Sequence, residues 1–168
     1  SAQDQLIDAM RLVSRLTEGK NTPAKITLRT HRPGDMGWIT MRHGVLYDEE
    51  YGYGPKFEAL VAEICAQFLQ RYDPKCERCW IAEVDGVPAG SLFLVHGDSK
   101  TAKLRLMFLE PWARGQGAAQ KLVEASIAFA KKCGYEKIVL WTQSELVAAR
   151  KLYAHNGFQR IATKPHAD

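Results

Sequence analysis

The sequence predicts an α/β (α+β) domain with a mixed, mostly antiparallel central sheet, one parallel strand pair and helices on both faces. Three observations carry that prediction. Asp85-Gly86 lies between two apolar runs, the strongest short signal for a β-hairpin. A strand, a long amphipathic helix and a second short strand follow one another between Lys103 and Thr142, which makes a crossover and hence a parallel pair. Two helical patterns precede the hairpin and supply the remaining layer.

Composition sets the bounds. The chain has 168 residues, 46% hydrophobic and 25% charged, the profile of one ordinary domain with a short appendage. A domain of this length buries roughly 70% of its unfolded surface, so it needs no disulfide or structural metal. The net charge of +4 suits an anionic ligand. No basic run is dense enough to argue for nucleic acid, and Lys131-Lys132 reads as the solvated end of a helix. No apolar run approaches a membrane span, and Asp4 and Asp8 argue against a secretory signal. Four cysteines without an export signal imply free thiols in a reducing cytoplasm. Cys76-x-x-Cys79 lacks the second ligand pair that tetrahedral zinc requires, since His96 and His155 stand alone, so no metal is expected.

Leu6, Ile7, Met10, Val13 and Leu16 recur at helical spacing, with Gly19 to stop the helix. Residues 20–25 read as a linker, so the boundaries are 1–21 for a helix with its linker and 22–168 for the domain. The apolar stripe of that helix is expected to bury against the domain or against a second copy of the chain. Ile26 to Arg29 alternates as a first strand. Arg32-Pro33-Gly34-Asp35 is a turn, with Asp35 the expected N-cap of a helix through Trp38, Ile39, Val45 and Leu46. Gly52-Tyr53-Gly54-Pro55 breaks it. A second helix follows, with Phe57, Leu60, Val61, Ile64, Cys65, Phe68 and Leu69 on one face. Cys79–Val84, Val87–Val95 and Lys103–Leu109 form an antiparallel run, ended by Pro111. A helix from about Gly117 to Cys133 turns Leu122, Val123, Ser126, Phe129, Ala130 and Cys133 inward and stops at Gly134. A strand at 137–142, a helix at about 145–156 closed by Gly157, and a last strand at 158–162 complete the chain.

The chemistry concentrates at 106–119, where a strand enters a small-residue loop and the loop opens a helix. A helix start offers unpaired N–H groups and a positive partial charge. Gly115, Gly117, Ala118 and Ala119 would let a phosphate approach them without obstruction. Two nucleotide loops are disfavoured. A P-loop needs Lys after its last glycine, where this chain has Ala118. A Rossmann motif needs an acidic residue at the end of the next strand, which here reads Leu140-Trp141-Thr142.

Arg114-Gly115-Gln116-Gly117-Ala118-Ala119 resembles the R/Q-x-x-G-x-G/A loop of the GNAT (Gcn5-related N-acetyltransferase) family. Leu109-Glu110-Pro111 looks like the family's V-x-P, and Leu152-Tyr153-Ala154-His155-Asn156-Gly157-Phe158 like its L-Y-x-x-x-G-F. Each motif is weak alone; together, in this order and with a strand between them, they are strong. The resemblance covers the chain from about Ile26 onward. Arg32–Asp35, Tyr51–Tyr53, Phe57–Ile64 and Cys79–Glu83 are similar to the acetyltransferase half of bacterial MarR–GNAT fusions. The N-terminal helix would then end a DNA-binding domain. No winged-helix sequence is present, and direct nucleic-acid binding by this chain is not expected.

The resemblance implies a GNAT fold with a splayed parallel pair, and acetyl-CoA as co-substrate without a metal. It implies that Arg114, Gly115, Gln116, Gly117, Ala118 and Ala119 hold the pyrophosphate of coenzyme A. On the strand through Met107, Phe108 and Leu109, the Met107 N–H would face the acetyl carbonyl and Leu109 would pair with the pantetheine amides. Tyr153 would be the general acid, since a phenol with a pKa near 10 is protonated at neutral pH and can meet a departing thiolate. The chain departs from the pattern at Leu146, where many relatives carry a cofactor-holding Asn; Gln143 or Ser144 would have to replace it. The general base stays open among Glu50, Glu110 and His43, with Glu50 assigned to acceptor binding or proton removal. Tyr47, Tyr51 and Tyr53 cluster where the family covers its acceptor, and aromatic walls with carboxylates suit a cationic amine. The expected function is acetyl transfer to a primary amine of a small molecule or peptide by direct attack. The alternative is a non-catalytic module that senses an acyl-CoA or amine for a transcription regulator.

Overall fold

The computed structural model describes residues 24–142 and 146–161, together with residues 3, 6, 7, 9, 10, 13, 14 and 17. Five strands make one sheet in chain order: β1 (Ile26–Thr30), β2 (Arg78–Val84), β3 (Val87–His96), β4 (Thr101–Leu109) and β5 (Lys137–Leu140). The first four are antiparallel, and β5 runs parallel to β4. The helices are α1 (Asp35–Tyr51), α2 (Gly54–Arg71), α3 (Ala118–Lys132) and α4 (Val147–His155).

Strand alternation sorts the core into two layers. Trp80, Ala82, Leu92, Leu94, Ala102 and Leu104 face α3, where Leu122, Val123, Phe129 and Ala130 meet them. Cys79, Ile81, Phe93 and Phe108 face α1 and α2 through Ile39, Leu46, Val61, Cys65 and Phe68. The hairpin turns at Asp85 and Gly86, both at positive φ (51° and 84°), the geometry that two-residue loops require. The crossover from β4 through α3 to β5 is present as expected.

Several local expectations need correction. Gly34, not Asp35, is the N-cap of α1; it sits at φ 97° and no side chain caps the helix. Asp35 occupies the first turn because its carboxylate is engaged by Arg29 (2.6 Å) and by the Arg32 N–H (2.6 Å). The buried stripe of α2 is narrower than predicted: Val61, Cys65 and Phe68 point inward, while Leu60 and Leu69 lie half exposed on its shoulders. The expected last strand is absent from residues 158–161, which form no sheet pair. There the Phe158 N–H is spent closing α4 on the Tyr153 carbonyl (3.0 Å) and is not offered to a sheet neighbour. Ala162 lies outside the described residues, as do Leu16, Gln143, Ser144 and the start of the 145–156 helix.

The described residues of the N-terminal segment are helical, with Leu6, Ile7, Met10 and Val13 exposed rather than docked on the domain. No helix among the described residues is long and apolar enough to cross a membrane. None of the described residues form a group of three His, Cys, Asp or Glu side chains placed to hold a metal.

Candidate active site

The site begins with an irregularity in β4. Phe93 pairs with Arg105 but Ser91 pairs with Phe108, so β4 holds one residue more than β3 across this stretch. Leu106 absorbs the extra length at φ 49°, a left-handed conformation that a leucine adopts only under constraint. The fully buried Ser91 hydroxyl fixes the bulge by donating to the Leu106 carbonyl (2.8 Å). Beyond the bulge the sheet opens. Pairing of β4 with β5 ends at Leu104 and Leu140, whereas β4 continues to Leu109. Met107 and Leu109 therefore lie where no strand covers the β5-side edge among the described residues.

Tyr153 stands opposite this opening. Helix α4 packs on α3, tied by reciprocal bonds between Gln120 and Asn156 (2.9 and 3.0 Å), and its Tyr153 hydroxyl donates to the Met107 sulfur at 3.1 Å. The side chain is buried, with Phe158 edge-on at 5.6 Å. Burial first, and Tyr47 second, hold its pKa well above the ordinary phenol value, so the hydroxyl keeps its proton at neutral pH.

Below the opening lies the loop. Pro111–Ala113 form a single 3₁₀ turn, Arg114 is extended, and Gly115 and Gly117 take φ 73° and 88°. A Cβ on either glycine would meet nothing within 4 Å, so both face open space. Gly117 starts α3 with no side-chain cap and no acidic residue in the first turn, which leaves the positive helix end uncompensated. Ala118 is buried and Ala119 half-buried, while the Gln116 amide folds back onto the Trp112 carbonyl (2.8 Å). The loop can therefore hold an anion on backbone N–H groups, with Arg114 beside them.

The third side is the end of α1. Arg114 forks onto Glu50 with contacts of 2.6 and 3.2 Å, and its Nε donates to the Leu109 carbonyl at 3.3 Å. The structure thus joins two residues that the sequence placed in separate roles. Tyr47 is mostly buried between Phe57 (4.6 Å), Tyr53 (5.5 Å) and Tyr51 (5.6 Å). Its phenol is pushed up to about 12, mainly by burial, then by Tyr51 and Glu50. The two other base candidates are occupied or enclosed. Both carboxylate oxygens of buried Glu110 are held by Arg42 (2.5 and 2.8 Å). His43 is 1% exposed, and its Nδ1 lies 2.9 Å from the Ile39 carbonyl. Burial lowers its pKa to about 4, so the imidazole is neutral. The Phe108 side chain packs on that ring at 4.6 Å, on the α1 face of the sheet; any contact of Phe108 with the opening is through its backbone.

Sequence reasoning missed Ser91, Leu106 and the Arg42–Glu110 tie. Ser91 left one signal, a lone hydroxyl within the apolar run of β3.

Comparison with known proteins agrees with this fold. The profile of the acetyltransferase (GNAT) family matches residues 44–158. A mycothiol acetyltransferase of Beutenbergia cavernae is 28% identical over 54% of this chain and 31% of its own. The chain spans about a third of the length of the curated relatives it first matches. An acetyltransferase structure from Streptococcus agalactiae superposes with a TM-score of 0.69 at 24% identity, over 84% of this chain and 86% of that one. A predicted acetyltransferase of Clostridium acetobutylicum, solved with acetyl-CoA, gives 0.66 at 18% identity over 86% and 96%.

Proposed function

The chain belongs to the acetyltransferase (GNAT) family, and we propose that it transfers the acetyl group of acetyl-CoA to a primary amine of a small molecule or peptide by direct attack. One observation carries this reading. The bulged, uncovered end of β4 lies between the Tyr153 hydroxyl and an open glycine loop at a helix N-terminus.

Acetyl-CoA supplies the acetyl group activated as a thioester. Gly115, Gln116, Gly117, Ala118 and Ala119 hold its diphosphate through backbone N–H groups, with Arg114 adding a positive charge. The uncapped start of α3 and the empty space at both glycines fit such a group. Leu109 offers its backbone to the pantetheine amides, and the Met107 N–H receives the carbonyl oxygen as negative charge builds on it. Phe108 fixes that strand by anchoring in the α1 layer. The neutral amine forms the C–N bond, Tyr153 gives its proton to the sulfur as the C–S bond breaks, and the proton shed by the nitrogen passes through solvent water and restores the phenol. Glu50 binds the acceptor amine at the tyrosine cluster. Residues 1–21 form a separate helical arm on the domain of 22–168, with a second copy of the chain covering Leu6, Met10 and Val13. The resemblance of Arg32–Asp35 and Tyr51–Tyr53 to MarR–GNAT fusions supports a place beside a regulator, and the free cysteines support the cytoplasm.

The test is release of free coenzyme A thiol from acetyl-CoA across a panel of primary amines and amino-terminal peptides. Amine-dependent release supports the reading. Acetyl-CoA binding without release for any amine would leave a sensing module instead.

A further inference from the structure

The Arg114–Glu50 fork has a consequence for how the two halves of the site communicate. Arg114 belongs to the loop and Glu50 to the last turn of α1, 64 residues away in sequence. Glu50 follows Asp48 and Glu49, and no basic residue lies in that turn. A helix C-terminus carries partial negative charge, so Glu50 gains from a cation brought from elsewhere. Arg114 supplies it, and the same guanidinium also covers the Leu109 carbonyl. One side chain therefore masks a carboxylate on the acceptor side and a backbone acceptor on the β4 edge. The pair is partly exposed, with side chains 47% and 27% accessible, so it is weak enough to exchange. A diphosphate is a better partner for a guanidinium, because it carries more charge and accepts the same forked bonds.

We propose that Arg114 is an exchangeable placeholder. Glu50 and the Leu109 carbonyl hold it until the diphosphate of coenzyme A draws it away, which uncovers the Glu50 carboxylate for the acceptor amine and the Leu109 carbonyl for the pantetheine arm. The proposal rests on the reading that the loop binds coenzyme A. It makes Glu50 a competitor of coenzyme A for Arg114.

Calorimetric titration of coenzyme A into the full chain tests this, with wild type, Glu50→Gln, Arg114→Ala and the double variant. Glu50→Gln is expected to tighten coenzyme A by roughly two- to five-fold, the scale of a partly exposed ion pair. Arg114→Ala is expected to weaken it, and adding Glu50→Gln to Arg114→Ala to change nothing further. Glu50→Ala, which shortens the side chain, should act with the same sign as Glu50→Gln. Weaker binding by folded Glu50→Gln would overturn the exchange, since the pair would then be a scaffold for the loop. Equal tightening in both backgrounds would also overturn it, since the effect would be field repulsion without Arg114. Absence of coenzyme A binding by wild type would instead overturn the reading beneath the proposal, and the proposal with it.

Discussion

At the residue scale, the proposed chemistry turns on Tyr153. Its hydroxyl donates to a thioether sulfur, a weak acceptor, so the bond to Met107 is readily surrendered to a stronger acceptor. A sulfur carrying developing negative charge is such an acceptor. Tyr153→Phe is therefore expected to lower turnover by up to 10²–10⁴-fold while leaving coenzyme A affinity within about twofold. Single-turnover kinetics beside a binding titration check the split; unchanged turnover with chemistry rate-limiting would remove Tyr153 from the mechanism. Tyr153 and the glycines of the loop were legible in the sequence because short motifs name them. Ser91 and Leu106 were not. A bulge is a register event between two strands, and neither strand's own pattern states it. The Arg114–Glu50 and Arg42–Glu110 pairs join residues 64 and 68 apart, distances over which no local spacing carries information.

At the element scale, β4 does the positioning. Its first half is ordinary sheet, paired on both sides, and its second half is bulged and, among the described residues, paired with β3 alone. The transition is clamped from β3 by Ser91 and by its neighbour Gly90. A Cβ at Gly90 would stand 2.4 Å from the Phe108 carbonyl and 2.4 Å from the Leu109 Cδ2. Backbone cannot yield cheaply, so Gly90→Ala must displace the end of β4. The expected outcome is destabilisation of about 1–3 kcal/mol, the usual range for overpacking, together with weaker coenzyme A binding. Urea unfolding and a titration measure both; a variant as stable as wild type would show that the two strands are not so closely apposed. The hairpin, the crossover and the long helices were readable as elements because turn residues and periodicity mark them. The last strand was misread because Phe158 and Ile161 follow a helix stop at Gly157 and favour strand, whereas the closure of α4 uses the Phe158 N–H.

At the scale of the whole molecule, the sheet separates two tasks. The α3 and α4 face carries the loop and Tyr153, and the α1 and α2 face carries the tyrosine cluster and Glu50. Among the described residues the two meet where β4 parts from β5, the opening proposed for both binding and chemistry. The N-terminal arm contributes none of the residues assigned to coenzyme A, which all lie beyond residue 100. The central claim is that this opening and its loop hold acetyl-CoA. Calorimetric titration of acetyl-CoA into wild type and Gly117→Val tests it most directly. Gly117 takes φ 88°, which a β-branched residue strongly resists, and its open face is where the diphosphate would sit. Saturable one-to-one binding by wild type and none by a folded Gly117→Val is the expected result; binding of equal strength in both would contradict the placement of acetyl-CoA at this loop.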